Sequence, residues 1–596
     1  MVNKLETTKL VEAGSRVNSF FLGSTRKEPS LMASQNLEQL KGELSQALAN
    51  KERFASFRFH TTAFNDDVLE IPKEDVIPVL RFMRESGRFD FLMDLCGADY
   101  PQRAKRFDVV YHLFSSRNFA RLRIKAQVGE NESIDSICSV WKSANWFERE
   151  AYDMFGIKFA GHPNLRRILV HHEFKGHPLR KDYDADKQQH CSTTLPLHFD
   201  NDAEWNPAGR SLVPLNIGPS HPATHGTLRV MAELDGETVA RANVELGFLH
   251  RCFEKMGETH PYNQVIPYTD RLNYCSAPIN NVAYCKAVER MLGVEIPARA
   301  QAMRIILMEL SRVIDHIVCI GANAVDLGAL TTFFHLFTYR EMVYSLFEKL
   351  CGARLTVSLT RIGGMAQDAP PGWFNDVMDV VKKISHGVDE LDTLLTGNKI
   401  WIQRTQGVGS ISAEDAIQWG YTGPCLRAAG VSLDLRKAQP YYGYDQLDFD
   451  VPIGSSGDVF DRYLVRVAEM RQSLKIIEQV CKNVPEGDWT IRDKGIVLPE
   501  KKDVYGNIEG LMNHFMLVIK GLRPPVGEVY DATEAGNGEL GFYVVSDGSG
   551  RPYRLRARPP CFAIYQSFPE QVTGGMVADV ISVLGSMNLI AGELDR

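Results

Sequence analysis

The chain lacks several things that would have decided its class at once. Its 596 residues include eleven cysteines, but none stands in a C-x-x-C pair. The sequence therefore offers no compact iron–sulfur or zinc nest of its own, and an odd count without regular spacing reads as reduced thiols rather than a disulfide framework. No G-x-G-x-x-G follows a strand-like run, so no dinucleotide site is expected. There is no excess of base: the formal net charge is −7, against the basic surface that nucleic-acid binding needs. No uninterrupted apolar run is long enough to span a bilayer. The most apolar stretch, 305–337, is broken by Glu309, Arg312, Asp315, His316 and Asp326. The N-terminal segment mixes acids and bases without a long apolar core, unlike a secretory signal.

What is present reads as a globular α+β protein: an N-terminal α/β domain, then a larger helix-bundle domain with β-hairpins at its ends. The length exceeds that of a single core. Residues 1–185 form the first expected domain. Its cues are helical spacing at Leu37, Leu40, Leu44 and Leu48 and two strand-like runs, 107–114 and 120–125. In the second run the bases should point outward and the apolar residues inward. Residues 186–210 are polar and aperiodic, as in a linker. From 211 the pattern restarts with a strand at 212–217 and a hairpin over 226–245 about Asp235-Gly236. Met303, Ile306, Leu307, Leu310, Ile314 and Ile317 mark one long helix, and the apolar positions from Phe460 to Cys481 mark another. A second Asp-Gly, at 547–548, joins strands near 541–545 and 553–556.

Four constellations could carry chemistry. Gly218-Pro-Ser-His221-Pro-Ala-Thr-His225-Gly226 is a turn rather than a helix, because of its prolines and glycines. Its histidines either cap backbone groups or offer a hydrogen bond or proton to a ligand. In Thr269-Asp270-Arg271-Leu-Asn-Tyr274 the tyrosine is either a satisfied buried hydroxyl or a neutral donor to a carbonyl. Glu309, Arg312 and His316, followed by Asp326, form either a packing network of ion pairs or a proton path. Finally, 146–156, 161–167 and 176–182 interleave aromatics with paired charges, as a partner surface does, or else make a helix cap and a solvated loop.

Together these motifs resemble a known family. Segments 148–156 and 176–182 resemble the C protein of bacterial respiratory complex I, the NADH-quinone oxidoreductase. Segments 218–226, 247–255, 270–274 and the terminal Gly592-Glu-Leu-Asp-Arg596 resemble its D protein. Their order in adjacent domains resembles the form in which the two are fused, and the polar linker falls at the join.

The resemblance implies that His225 and Tyr274 hold the quinone headgroup, with His221 as a loop-shaping neighbour. It implies that Asp326 tunes His225 or resupplies its proton, and that Arg251 and Arg271 lie near the terminal iron–sulfur cluster. That cluster, FMN and the NADH site would belong to other subunits; quinone is the substrate here, and this chain alone would bind no metal or cofactor. The implied partners are the terminal-cluster subunit, other peripheral-arm subunits and the membrane-arm subunit at the quinone entrance, with no nucleic acid. The implied location is the cytoplasmic face of the membrane. The segment 577–590 would be a helix lining the cavity. Two departures stand out: Thr356 replaces a histidine common in relatives, and Asn588 an aspartate. The second part is also distantly similar to the nickel–iron hydrogenase large subunit, but Cys252 stands alone and no cysteine lies near Asp595, which speaks against nickel. A pure scaffold without chemistry is the remaining alternative.

Overall fold

The computed structural model describes residues 39–44, 46, 56–186, 188–192 and 212–596. The expected linker lies outside the described residues from 193 to 211, as do Leu37 and Leu48; Leu40 and Leu44 are buried. The fold is mixed α+β.

The N-terminal half is built on a five-stranded sheet: β1 (Arg58–Thr61), β2 (Asp67–Ile71), β3 (Phe91–Asp99), β4 (Phe107–Phe114) and β5 (Arg121–Val128), in the order β1-β2-β5-β4-β3. All neighbours are antiparallel except β2 and β5, which run parallel. A parallel pair needs a crossover. Helix α1 (Val76–Glu85) lies in that crossover and buries Val76, Val79, Leu80 and Met83 on one face. Helix α2 (Ala144–Phe155) ends at Gly156, whose φ of 80° makes the left-handed cap that glycine best supplies. A short parallel pair, β6 (Ser133–Asp135) and β7 (Lys158–Ala160), flanks it.

The second half begins with a three-stranded antiparallel sheet of β8 (Val213–Ile217), β9 (Arg229–Asp235) and β10 (Thr238–Glu245), with the turn at Asp235-Gly236 where the sequence places it. The bundle follows: α3 (Ala277–Leu292), α4 (Ala298–Asp326), α5 (Leu330–Cys351), then the two-residue strands β11 (Thr360–Arg361) and β12 (Gly364–Met365), α6 (Trp373–Leu391) and α7 (Val459–Lys482). β13 (Gly527–Ala535), β14 (Gly538–Ser546) and β15 (Arg554–Arg558) form an antiparallel sheet, and α8 (Val577–Ser586) lies near the C-terminus. α4 is the bundle's axis, packed by α3, α5, α7 and α8. No described helix is long and apolar enough to cross a membrane.

Two expectations fail here for one reason. The bases of β5 do not face solvent: Arg123 is buried, and Arg121 and Lys125 are only half-buried. Their partners come largely from the other half of the chain. Arg121 pairs with Glu539 at 2.7 Å, and Arg123 with Glu528 at 3.2 Å and Asp66 at 2.7 Å. Likewise the aromatics of α2 are covered by the chain's own second half rather than offered to a separate protein, while Gly156 caps the helix and the loops at 161–167 and 176–182 stay partly exposed. Trp146 and Phe147 pack on Phe562, at ring separations of 5.4 and 5.6 Å. Alternation places a side chain on a face of a strand, but not what covers that face. The third departure is the C-terminal helix, which stops at Ser586 rather than 590, because Asn588 takes a left-handed φ of 59°.

The two halves are joined by ion pairs buried from water. Arg556 reaches Asp94 at 2.7 Å, Glu254 at 3.1 Å and Glu150; Arg596 reaches Glu150 at 3.0 Å. Arg554 and Arg558 donate to the Gly97 and Met93 carbonyls of β3, both at 2.9 Å. Removing one partner of such a network strands its opposites in low dielectric, at a cost of about 3–5 kcal/mol. Arg556→Ala should therefore lower the unfolding midpoint of the full chain markedly. Arg492→Ala, which breaks an exposed pair with Asp488, should leave it unchanged; equal midpoints for the two variants would refute a network role for Arg556.

Candidate functional site

The turn at 218–226 is shaped by its own residues. Gly218 has φ 86°, and a Cβ there would lie 2.4 Å from the Leu228 carbonyl oxygen, so only glycine fits. Pro222–Thr224 form a single 3-10 turn. His221 caps it, its Nδ1 accepting from the Ala223 N–H at 3.2 Å, and Thr224 donates its hydroxyl to the Pro219 carbonyl at 3.0 Å. His225 follows at φ 53° and is exposed on the turn. The capping reading thus describes His221, while His225 is left available.

Asp326 ends α4, half-buried. Burial pushes its carboxyl above the usual range, opposed by the nearby His225 and His221 imidazoles. A carboxylate at a helix C-terminus is also disfavoured by the helix dipole. α8 packs against the turn as well as against α4.

Tyr274 opens another 3-10 turn, capped by Asn273, whose side chain accepts from the Cys275 and Ser276 N–H groups at 3.2 and 3.3 Å. The same amide donates to Asp315 Oδ1 at 3.1 Å, tying the turn to α4. Desolvation first, then Cys275, Asp315 and Cys561, raise the Tyr274 phenol well above its ordinary value, keeping it a neutral donor. No hydrogen bond or ion pair joins Tyr274 to His225 among the described residues; the Tyr274 turn packs on α4, and the histidine turn on α8, which itself packs on α4.

Arg251 and Arg271 do come together. Arg251 Nη2 donates to the Arg271 carbonyl at 2.6 Å, and burial with the neighbouring Arg271 lowers its pKa. Segment 247–255 is held to the C-terminus: Asp595 accepts from the Gly247 and Leu249 N–H groups at 3.1 and 2.8 Å, and the Arg251 N–H donates to Arg596. Thr356 sits at φ 50° in the loop after α5, and Ser358, at φ 43°, is anchored on Asp270. Asn588 donates to Asp315 Oδ2 at 3.2 Å and Asn537 Oδ1 at 2.6 Å. An aspartate there would oppose Asp315, so the amide satisfies what an acid would repel.

The stripe on α4 is part of a far larger network. Glu309 accepts from Tyr444 at 2.6 Å, Ser473 at 2.7 Å, Arg436 at 3.0 Å and Arg312 at 3.2 Å. Arg436 pairs with Asp434 at 2.7 Å; Arg427 joins Glu469 at 2.6 Å and Glu534 at 2.8 Å; Glu469 meets His316 Nε2 at 2.9 Å. Burial raises the pKa of Glu309 and Glu469, but the arginines win and hold both at about 2. Sequence reasoning misses these partners. The signal that could have found them is the recurrence of Arg462, Arg466, Glu469 and Ser473 at helical spacing on α7, beside its more conspicuous apolar stripe.

Cys138, Glu148 and His162 also bring ligand-type atoms within 4.8 Å of one another in the N-terminal half. His162 Nδ1 accepts from the Asn164 N–H at 3.0 Å, and Nε2 lies 3.1 Å from the Asn145 carbonyl. With Nδ1 accepting, the proton sits on Nε2, which leaves that nitrogen without a lone pair for a metal.

Comparison with known proteins finds a match for both halves of the chain. Residues 69–189 match the family described as respiratory-chain NADH dehydrogenase, 30 Kd subunit, and residues 326–596 the one described as its 49 Kd subunit. The C/D subunit of the NADH-quinone oxidoreductase of Bdellovibrio bacteriovorus is 71% identical over 555 residues, covering 93% of this chain and 99% of that protein. The C/D subunit of the Nitrosospira multiformis enzyme is 42% identical over 552 residues, 88% of this chain and 90% of that one. The separate D subunit of the Myxococcus xanthus enzyme is 50% identical over 382 residues, 64% of this chain and 92% of that protein. With both subunit families matched in one polypeptide, the chain belongs to the fused C/D family of the complex I NADH-quinone oxidoreductases.

Proposed function

We propose that this subunit forms the quinone-reduction site of a proton-translocating NADH:quinone oxidoreductase, beside the terminal iron–sulfur cluster of a neighbouring subunit. The observation that carries it is the convergence on α4. At its end Asp326 backs His225 and His221, and midway Asp315 holds the turn that presents Tyr274. In this reading Tyr274 and His225 donate hydrogen bonds, then protons, to the two quinone oxygens. Asp326, with its raised proton affinity, resupplies His225. His221 shapes the turn. Arg251 and Arg271 place positive charge on the face toward the cluster, whose reduction adds negative charge there.

NADH, FMN and the clusters are held by partner subunits, and this chain has no complete activity alone. Its partners are the terminal-cluster subunit, other peripheral-arm subunits and a membrane-arm subunit where quinone enters, so it sits peripherally at the cytoplasmic face of the membrane. Exposed Leu511, Met512, Phe515 and Ile519 on the helix Ile508–Lys520 suit a partner surface. The chain's own fit with the cluster is indirect: the site shows paired arginines rather than a set of thiol ligands.

Membranes carrying Tyr274→Phe should lose NADH-to-quinone turnover by about 100-fold, the scale of a lost proton donor, and keep NADH-to-ferricyanide turnover, which reports assembly and electron entry. Equal retention of both would remove Tyr274 from the site and leave the scaffold reading. Asp326→Asn should cut quinone turnover in the same assay. Because the raised carboxyl is protonated to higher pH than a free aspartate, the parent's rate should depend on pH where the amide variant's does not; identical profiles would exclude Asp326 from proton supply.

A further inference from the structure

The loop after Val170 meets a later stretch of the same half of the chain. Asp153 Oδ2 accepts from the N–H groups of Ile168, Leu169 and Val170 at 3.0, 2.9 and 3.1 Å, which fixes where the loop begins. A turn follows, the Phe174 N–H donating to the His171 carbonyl at 2.9 Å. Residues 188–192 lie beside that turn. Gln189 accepts from the Lys175 N–H and donates to the Lys175 carbonyl, both at 2.8 Å, and the Ser192 N–H donates to Glu173 Oε2 at 2.7 Å.

This fold-back gathers three kinds of donor. A ring nitrogen of His171, a carboxylate oxygen of Glu173 and the free Cys191 thiol lie within 4.8 Å of one another. Nitrogen, oxygen and sulfur together suit a zinc-class cation rather than magnesium or calcium, which take oxygen. The Ser192 backbone N–H, then the Ser192 hydroxyl, hold the Glu173 carboxyl below its ordinary range, and His172 and His171 add to this. His171 Nδ1 accepts from the Glu173 N–H at 3.2 Å, so its lone pair lies toward Glu173 and its proton sits on Nε2, which is buried. The Cys138 cluster is arranged the opposite way. There the nitrogen 4.0 Å from Glu148 Oε2 is the protonated Nε2 of His162. His172 stacks on His171 at a ring separation of 4.2 Å, with its Nε2 3.9 Å from Glu173 Oε1. His171, Glu173 and Cys191 all stand outside the motifs that carry the resemblance to the oxidoreductase family.

We propose that His171, Glu173 and Cys191 bind one zinc-class divalent cation, which staples residues 188–192 to the loop at 171–175. His171 gives its Nδ1 lone pair to the metal in exchange for the hydrogen bond from the Glu173 N–H, and keeps its proton on Nε2. Glu173 gives a carboxylate oxygen. The Cys191 S–H bond breaks; the electron pair stays on sulfur and becomes the third ligand, and the proton goes to water. His172 or a water completes the four-fold coordination that zinc prefers. The staple lies where the match to the 30 Kd subunit family ends, so it fixes the point from which the chain leaves its first half.

The test is titration of the chelator-stripped full chain with cobalt(II), the spectroscopic stand-in for zinc. One cobalt per chain should bind and give a thiolate-to-cobalt charge-transfer band, and added zinc should bleach it. Cys191→Ser should lose the band and bind zinc at least about 100-fold more weakly, the upper end of what a lost outer-shell partner costs. Cys138→Ser should keep both. Amide exchange across 171–192 should slow when zinc is added to the parent and stay unchanged in Cys191→Ser. A band that survives Cys191→Ser, a band lost in Cys138→Ser alone, or less than one metal per chain in the parent overturns the proposal. Alkylation of Cys191 in the parent, read by mass spectrometry, needs no variant and decides the matter if Cys191→Ser fails to fold: zinc should slow it about tenfold or more, and equal rates with and without zinc also overturn the proposal.

Discussion

A buried helix leaves a charge unpaired only at a cost, and α4 carries Arg304, Glu309, Arg312 and His316 through the middle of the bundle. Isolated, each would cost several kcal/mol. The surrounding elements are accordingly arranged to answer them: Glu289 of α3 meets Arg304 at 2.6 Å, Arg436 and Tyr444 meet Glu309, and Glu469 of α7 meets His316. Because α4 is fixed in position by these pairs, so are the Tyr274 turn that packs on it and Asp326 at its end. Precision at Tyr274 and at Asp326 is thus a consequence of electrostatics deeper in the fold.

The same logic separates structure from chemistry. Glu309 and Glu469, matched by arginines, are held ionised, and their stabilisation is complete above the unfolded carboxylate value. That stabilisation is lost only as pH falls through the depressed value, about 2 for Glu309 and Glu469. Glu534, which also meets Arg427, is instead pushed up by burial and by the neighbouring Asp434. Where an acid lacks that match, as at Asp326, Asp315 and Glu593, burial raises its proton affinity instead. Of these carboxyls, Asp326 lies beside the turn carrying His225, and Asp315 holds the turn carrying Tyr274.

Much of the architecture is legible in the chain. The 2.0 and 3.6 periodicities locate β4, the β9–β10 hairpin and α7 to within a few residues and mark the middle of α4, because these elements bury faces whose composition is set locally. Less legible are features fixed by distant partners. The bases of β5 look solvated until Glu528 and Glu539 are brought to them from more than 400 residues away. Glu593 belongs to a terminal motif plain in the sequence, but nothing in one dimension reveals that Arg558 turns its guanidinium elsewhere. The histidine turn can be read either way from its prolines and glycines. Only the backbone conformation assigns capping to His221 and leaves His225 beside Asp326.

The most direct measurement is photo-crosslinking of the intact enzyme with a quinone analogue bearing the reactive group on its headgroup. Label is expected in the peptides around 218–226 and 270–276, and should disappear with excess unlabelled quinone. Competable label confined to other subunits would contradict a quinone site on this chain.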